Sequence, residues 1–178
     1  VGTVKSSHAL QVDEAKGYLY LYGSKLTNNN GVGYPIILNL NSTPYTPTYA
    51  GKYTVSGYAH DGYVNNDTMF ASHINLGQFS IINTTNKSNP GIYGPNVTTP
   101  NSYTHNTWRT GNTIFTTDET SDSWLAAFDI TDPTDVVLTD KIQVNPGTLS
   151  IVHNVYCQSG YAIASWYKDG VAIVDATR

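Results

Sequence analysis

Four histidines at near-regular spacing are the residues of this sequence best suited to chemistry. His8, His60, His105 and His153 are separated by 52, 45 and 48 residues. They occur in similar phrases, SHALQV, AHDGYV, THNTWR and VHNVYC. Neutral imidazoles are common ligands of transition metals. If each phrase occupies the same position of a structural repeat, the four imidazole rings converge and form a candidate metal or ligand site.

A second set of polar side chains follows two of these histidines at the same distance. His73 lies 13 residues after His60, Asp118 lies 13 residues after His105, and Glu119 comes next. Histidine with carboxylate suits Zn²⁺, Mn²⁺ or Fe²⁺, whereas carboxylates with Asn and backbone carbonyls suit Ca²⁺. The candidate ligands of a divalent metal are therefore His8, His60, His73, His105, Asp118, Glu119 and His153.

A packing role is the alternative for the same residues. A repeated histidine can anchor each first strand by donating to a backbone carbonyl of the neighbouring unit, and His73 and Asp118-Glu119 can stand in turns. The residues after three of the histidines (Asp61, Asn106 and Asn154) are candidates for orienting the rings by hydrogen bonds.

Short strands at a period near 48 residues are typical of a β-propeller with one blade per repeat. We expect an all-β fold of about four visible, four-stranded antiparallel blades. Their boundaries fall near 6–57, 58–102, 103–150 and 151–178. The predicted strands are 8–13, 18–23, 34–40, 49–55, 60–64, 68–72, 78–83, 105–109, 113–117, 124–130, 136–143, 153–158, 161–167 and 171–176. A turn at 13–17 and a polar loop at 25–33 interrupt the first unit.

The last unit holds three strands only, and two interpretations follow. The segment Val1–Lys5 can be the outer strand of a preceding blade, which makes the chain part of a larger propeller. Alternatively it pairs with Val171–Ala176 and closes a four-bladed ring. We favour the first interpretation. Because an open arc of blades leaves edge strands exposed, missing blades or other chains would have to complete it.

Composition excludes several classes of function. Charged residues make up 12% of the chain, the net charge is −4, and the polarity comes from Asn, Thr, Ser and 14 Tyr. Since there is no basic cluster and no long apolar run, we expect neither nucleic-acid binding nor a membrane span. The single Cys157 excludes a disulfide framework, and we expect it to be a buried structural thiol. No G-x-S-x-G elbow or phosphate-binding loop is present.

Longer segments resemble the LVIVD-repeat proteins, also described as the choice-of-anchor B family of bacteria and archaea. The resemblance rests on YTHNTWRTGNTIFTTDET, WLAAFDITDP and IVHNVYCQSGYAIASWYKDGVAIVDATR, with SSHALQVDEAKGYLYLYG and FASHINLGQFSIINTTNKSNP matching other repeats. It implies a secreted or surface-anchored β-propeller whose biochemical role is largely undefined. Family sequences usually continue past DATR with another outer strand. At Ser72-His73 this chain departs from the family pattern, where an acidic or amide residue is more usual.

Three functions are compatible with these patterns. The first, which we favour, is an extracellular or cell-surface binding or scaffold module whose partner is a protein or carbohydrate. Aromatic side chains near the strands, such as Trp108 and Tyr156, suit stacking on a sugar but are also ordinary core residues. The second function is a metal-dependent hydrolase or oxidase that uses the histidines. The third is a structural subunit of a surface assembly.

Overall fold

Short antiparallel strands form almost all of the regular structure. The computed structural model describes residues 4–27 and 32–177. The first group of strands is β1 (Val4–Ser6), β2 (Ala9–Asp13), β3 (Tyr18–Tyr22), β4 (Lys25–Leu26), β5 (Ile36–Asn39) and β6 (Thr48–Lys52). The second group is β7 (Asp61–Asn65), β8 (Thr68–His73), β9 (Gln78–Asn83), β10 (Gly91–Ile92) and β11 (Val97–Thr98). The third is β12 (Thr104–Thr110), β13 (Thr113–Asp118), β14 (Leu125–Asp129) and β15 (Val137–Ile142). The fourth is β16 (Val152–Gln158), β17 (Tyr161–Trp166) and β18 (Gly170–Asp175).

These groups make four consecutive antiparallel sheets. Sheet I has the order β2-β3-β5-β6, and sheet II has the order β7-β8-β9 with both β10 and β11 paired to β9. Sheet III runs β12-β13-β14-β15, and sheet IV runs β16-β17-β18. A 3₁₀ turn at Ile74–Leu76 is the one helical element of the described residues. The all-β prediction is confirmed.

The first hairpin illustrates how the sequence sets the register. Asp13 pairs with Tyr18, and the amide of Gly17 donates to the Asp13 carbonyl at 2.8 Å. Gly17 has φ of +72°, a conformation that glycine adopts at little cost. The predicted turn at 13–17 therefore forms, and it sets the register in which β3 pairs with β2.

The core consists of apolar layers between successive sheets. The layer between sheets I and II contains Tyr20, Tyr22, Ile37, Val64, Met69, Ala71 and Ile82. The layer between sheets II and III contains Phe70, Phe79, Ile81, Ile114, Ala126, Phe128 and Ile130. The layer between sheets III and IV contains Phe115, Leu125, Val152, Val155, Ala162, Ala164 and Trp166. Because successive strand residues face opposite sides, Phe70 joins one layer while Met69 and Ala71 join another. The sheets therefore stack face to face in chain order.

The two outward faces of the stack differ. Sheet I is covered by the β1–β4 ribbon, whose Val4 and Leu26 pack on Leu21 and Leu38. Sheet IV has no such cover among the described residues, and Val171 and Ile173 are 66% and 67% exposed.

The described part of Val1–Lys5 does not pair with Val171–Ala176, which was the less favoured of the two interpretations. β1 pairs with β4, which falls inside the predicted loop at 25–33, and among the described residues β18 pairs with β17 alone. Residues 1–3 and 28–31 lie outside the described residues. The partner β4 is much closer in sequence than β18, and the resulting ribbon covers the outer face of sheet I.

Gly51 marks a close approach between sheets I and II, and it provides a stability test. A β-carbon at Gly51 would lie 1.7 Å from the carbonyl oxygen of Lys87. We expect Gly51→Ala to lower the free energy of unfolding by about 2 kcal/mol or more, since the backbones must separate. Gly91→Ala is the matched control, because nothing lies within 4 Å of its β-carbon position. Urea unfolding of both variants checks this, and equal midpoints would contradict it.

Candidate functional site

The histidines come together at the starts of the four sheets. His8 and His60 directly precede β2 and β7, and their amides extend the ladders to the carbonyls of Tyr22 and Ser72 at 2.9 and 2.8 Å. His105 and His153 are the second residues of β12 and β16. The four first strands are neighbours in chain order, so the same position of each repeat lies beside the next.

The rings of these four residues, which we call the histidine row, are in contact in chain order. Ring centroids are 3.8 Å apart for His8 and His60, 4.6 Å for His60 and His105, and 4.1 Å for His105 and His153. The ring of Tyr167 continues the row 5.2 Å beyond His153. The sequence period thus predicts the convergence of the histidines correctly.

One carboxylate, Glu119, faces the end of the row. Its two oxygens lie 3.7 Å from Nε2 of His105 and 3.7 Å from Nε2 of His153. One ligand atom from each of these three residues lies within 4.8 Å of the others. The phenol of Tyr167 donates a hydrogen bond to Glu119 Oε1. The backbone amide of Glu119 donates to the Tyr103 carbonyl at 3.1 Å, which fixes the residue after β13.

Burial keeps two imidazoles of the row uncharged near neutral pH. Desolvation, reinforced by the neighbouring imidazoles, lowers the pKa of His60 to about 4 and that of His105 to about 4. The Glu119 carboxylate partly offsets this for both. The neutral imidazole is the form that binds metal.

The packing alternative accounts for only part of the ring contacts of His60 and His105. Nε2 of His60 and Nδ1 of His105 are buried without a hydrogen-bond partner, and Nδ1 of His60 lies 3.0 Å from the Tyr58 hydroxyl. Although desolvation lowers the pKa of His105 most, a hydrogen bond with the backbone of His153 in the neighbouring sheet raises it, and this contact is the kind that the packing alternative expects. Buried polar atoms without partners are uncommon and call for an explanation.

His73 is placed away from the row. It is fully buried at the end of β8, where Nδ1 donates to the Tyr58 carbonyl at 2.8 Å and Nε2 lies 2.8 Å from the Ser80 hydroxyl. Desolvation lowers the pKa of this histidine. With both ring nitrogens engaged, His73 is a packing residue and not a ligand of the row.

Asp118 also points away from the row. Its buried carboxylate accepts hydrogen bonds from the Thr99 hydroxyl at 2.5 Å and from the amides of Asn101 and Tyr103 at 2.8 and 3.0 Å. Burial raises the pKa of Asp118, while these three bonds act in the opposite direction. The repeated spacing of 13 residues therefore has one structural meaning. His73 and Asp118 each bind the backbone two residues before a histidine of the row, at Tyr58 and Tyr103.

The amide and carboxylate that follow the histidines connect strands and do not orient rings. Asn106 donates to Asp61 Oδ2 at 3.1 Å and accepts from the Val155 amide at 3.1 Å. This chain joins the first strands of sheets II, III and IV. Asn154 is exposed and borders a cavity of about 330 Å³ beside the first strands.

Aromatic residues form a second row three positions after the histidines. Ring centroids are 4.8 Å apart for Tyr63 and Trp108 and 4.6 Å apart for Trp108 and Tyr156. Trp108 and Tyr156 also border the cavity of about 330 Å³. Their rings stack on one another, with Tyr63 and Trp108 partly buried and Tyr156 44% exposed.

Cys157 lies outside the candidate ligands. It is half-buried rather than fully buried as predicted, and desolvation raises the pKa of its thiol to about 12. The thiol stays protonated and unreactive near neutral pH.

Comparison with known proteins bears on the fold. No model of a known protein family matches the chain, and no curated protein matches it. The chain is similar in structure to the computationally designed Ika4 protein, known from a crystal structure, with a TM-score of 0.63. The match covers 96% of this chain and 91% of that chain at 10% identity, so the likeness concerns the fold alone. Within the described residues, no helix is both long and apolar enough to cross a membrane. The structural likeness supports the antiparallel all-β architecture of this chain.

Proposed function

We propose that this chain is part of a β-propeller that acts as a secreted or cell-surface binding module. The observation that carries the proposal is the histidine row, with one ring from the first strand of each sheet. Sheets that stack face to face in chain order, with their first strands adjacent, are compatible with blades around a common axis. The resemblance to the LVIVD-repeat proteins and the low share of charged residues are the basis for the extracellular location.

The ligand site of the proposed module is the end of the row near Glu119. His153 and Glu119 have side chains 32% and 25% exposed there, whereas His105 is 2% exposed. The row is therefore accessible at the His153–Glu119 end, while His105 beside it is buried. A rigid scaffold with polar groups converging at one accessible end is a common form of binding site.

The uncovered face of sheet IV fits the same proposal. Because Val171 and Ile173 are two-thirds exposed, further blades or other chains of the same assembly would cover them. A scaffold role in a surface assembly then accompanies binding at the row.

Histidine side-chain NMR tests the binding site. We expect a soluble oligosaccharide or peptide that binds the metal-free protein to shift the ring resonances of His105 and His153 and to leave those of His73 unchanged. His73 is the internal control, since its ring nitrogens are hydrogen-bonded elsewhere. The proposal would be contradicted if none of the tested oligosaccharides and peptides bound, or if those that bound shifted only the ring resonances of His73. Antibody labelling of intact cells tests the location.

A metal-dependent hydrolase or oxidase is the second candidate function. It is favoured by the arrangement of His105, Glu119 and His153 as three possible ligands around one point. Turnover of ester, phosphoester or reduced aromatic substrates by the metal-loaded protein distinguishes an enzyme from a binding module.

A further inference from the structure

We propose that His105 Nε2, His153 Nε2 and the Glu119 carboxylate form a binding site for one divalent transition metal of the Zn²⁺ class, with one coordination position left open. The inference rests on the proposed function, since it names the ligand of the same end of the histidine row. Of the seven candidate metal ligands predicted from the sequence, the proposal assigns three.

The distances suit a small tetrahedral ion. Metal–ligand bonds of about 2.0–2.1 Å place neighbouring ligand atoms roughly 3.3 Å apart. The two observed distances from Glu119 oxygens to imidazole Nε2 atoms are 3.7 Å. These two distances run to different oxygens of Glu119, and one ligand atom from each of the three residues lies within 4.8 Å of the others. Binding one ion therefore requires the ligand atoms to approach by up to about 1.5 Å, which rotation of the partly exposed His153 and Glu119 side chains supplies.

The ligand types select the class of metal. Two imidazoles and one carboxylate are a common donor set for Zn²⁺. Ca²⁺ requires six to eight oxygen ligands, and this group offers the oxygens of one carboxylate. The site therefore favours a transition metal over Ca²⁺. Sites with three protein ligands leave a fourth position for water or an external ligand, as in catalytic zinc centres.

The surroundings hold the ligands in place before a metal arrives. His105 and His153 stand in adjacent strands, β12 and β16, and Thr117 donates to the His153 carbonyl at 2.6 Å. The Tyr167 hydroxyl donates to Glu119, and the Glu119 amide is fixed by Tyr103. Such outer hydrogen bonds orient metal ligands and raise affinity.

Calorimetric titration of tag-free protein with ZnCl₂ tests the site, with Co²⁺ absorption reporting coordination geometry. We expect one ion per chain in a four-coordinate site. We expect His153→Ala and Glu119→Gln each to weaken binding by more than about 100-fold, since each removes one of three ligands. Both residues are partly exposed, so these variants should fold. Glu14→Gln is the matched control, because Glu14 is exposed on the turn after β2.

Two further variants refine the assignment. Tyr167→Phe should weaken Zn²⁺ binding by about 10-fold without shifting the unfolding temperature of the metal-free protein, because it loses only the bond to Glu119. His8→Ala removes the exposed far member of the row and should change affinity little. A loss as large as that of His153→Ala would show that the whole row, rather than the three residues, holds the ion.

Absence of stoichiometric Zn²⁺ or Co²⁺ binding, or binding that His153→Ala and Glu119→Gln leave intact, would overturn the inference. The proposed function fails separately. If metal does not bind but an oligosaccharide or peptide shifts the ring resonances of the histidine row, the proposed binding module is supported and the metal site is not. If metal binds as expected and no such ligand does, the centre stands without the binding module.

Discussion

Replacing Asp118 with alanine is expected to lower the free energy of unfolding by about 3–4 kcal/mol. The carboxylate is fully buried and accepts three hydrogen bonds, two of them from the backbone amides of Asn101 and Tyr103. Each buried donor that loses its partner costs roughly 1–3 kcal/mol. Urea unfolding with an unchanged m-value measures the loss.

Two comparison variants make this prediction specific. Asp118→Asn keeps one acceptor oxygen and should lose about half as much stability. Asp140→Ala removes an exposed aspartate of β15 and should change the midpoint little. Asp118→Ala protein as stable as Asp140→Ala protein would contradict a positioning role for Asp118.

The metal-free protein is expected to lose stability as the pH falls from about 6.5 to about 4. The pKa of His105 is about 4 in the folded state and 6.5 without its surroundings. The unfolded chain therefore binds more protons in this interval, and unfolding becomes easier as the pH falls. The contribution is fully present above pH 6.5 and lost as the pH passes below 4. For the buried His105 it is on the order of 3 kcal/mol.

The groups around His105 change the size of this loss. His60 has the same lowered pKa and adds to the loss, although its greater exposure reduces its share. Glu119 opposes the loss because its carboxylate stabilises the imidazolium. Urea unfolding at several pH values in the presence of a chelator checks the prediction. The double variant His60→Gln with His105→Gln should have a shallower profile between pH 6.5 and 4, although His73, whose pKa is also lowered, still contributes. An unchanged profile would show that other groups are responsible.

The strand pattern could be predicted from the sequence because alternation has a simple physical cause. Residues of β8 and β13 alternate between two apolar layers, so the hydrophobic pattern fixes both strand position and facing direction. The convergence of the histidines was predictable for a related reason, since corresponding residues of structural repeats occupy corresponding positions in the fold. The pairing of β1 was not, because a three-residue strand carries too little pattern to choose a partner.

The direction of His73 and Asp118 could not be predicted from their spacing alone. Both occupy the same position of their repeats, as the sequence indicates, but their strand faces turn them towards the segments that enter β7 and β12. Glu119, one residue further along the chain, turns the opposite way and meets the row. A difference of one residue reverses the direction in which a side chain faces, so which of Asp118 and Glu119 faces the row follows only from the strand register. The Tyr167–Glu119 bond joins sheets III and IV across 48 residues, and no local signal marks it.

Each sheet is made of strands that follow one another along the chain, and this has a consequence for how the polypeptide reaches its fold. Sheet II, for example, is complete within residues 61–98. Such an arrangement has low contact order inside every unit, so each sheet can form as it leaves the ribosome and serve as the template on which the next one docks. Because a histidine lies at the start of each unit, the imidazole rings would then come into contact one after another as the units are synthesised. The contact between His105 and His153 would form last, when Trp166 packs into the layer between sheets III and IV.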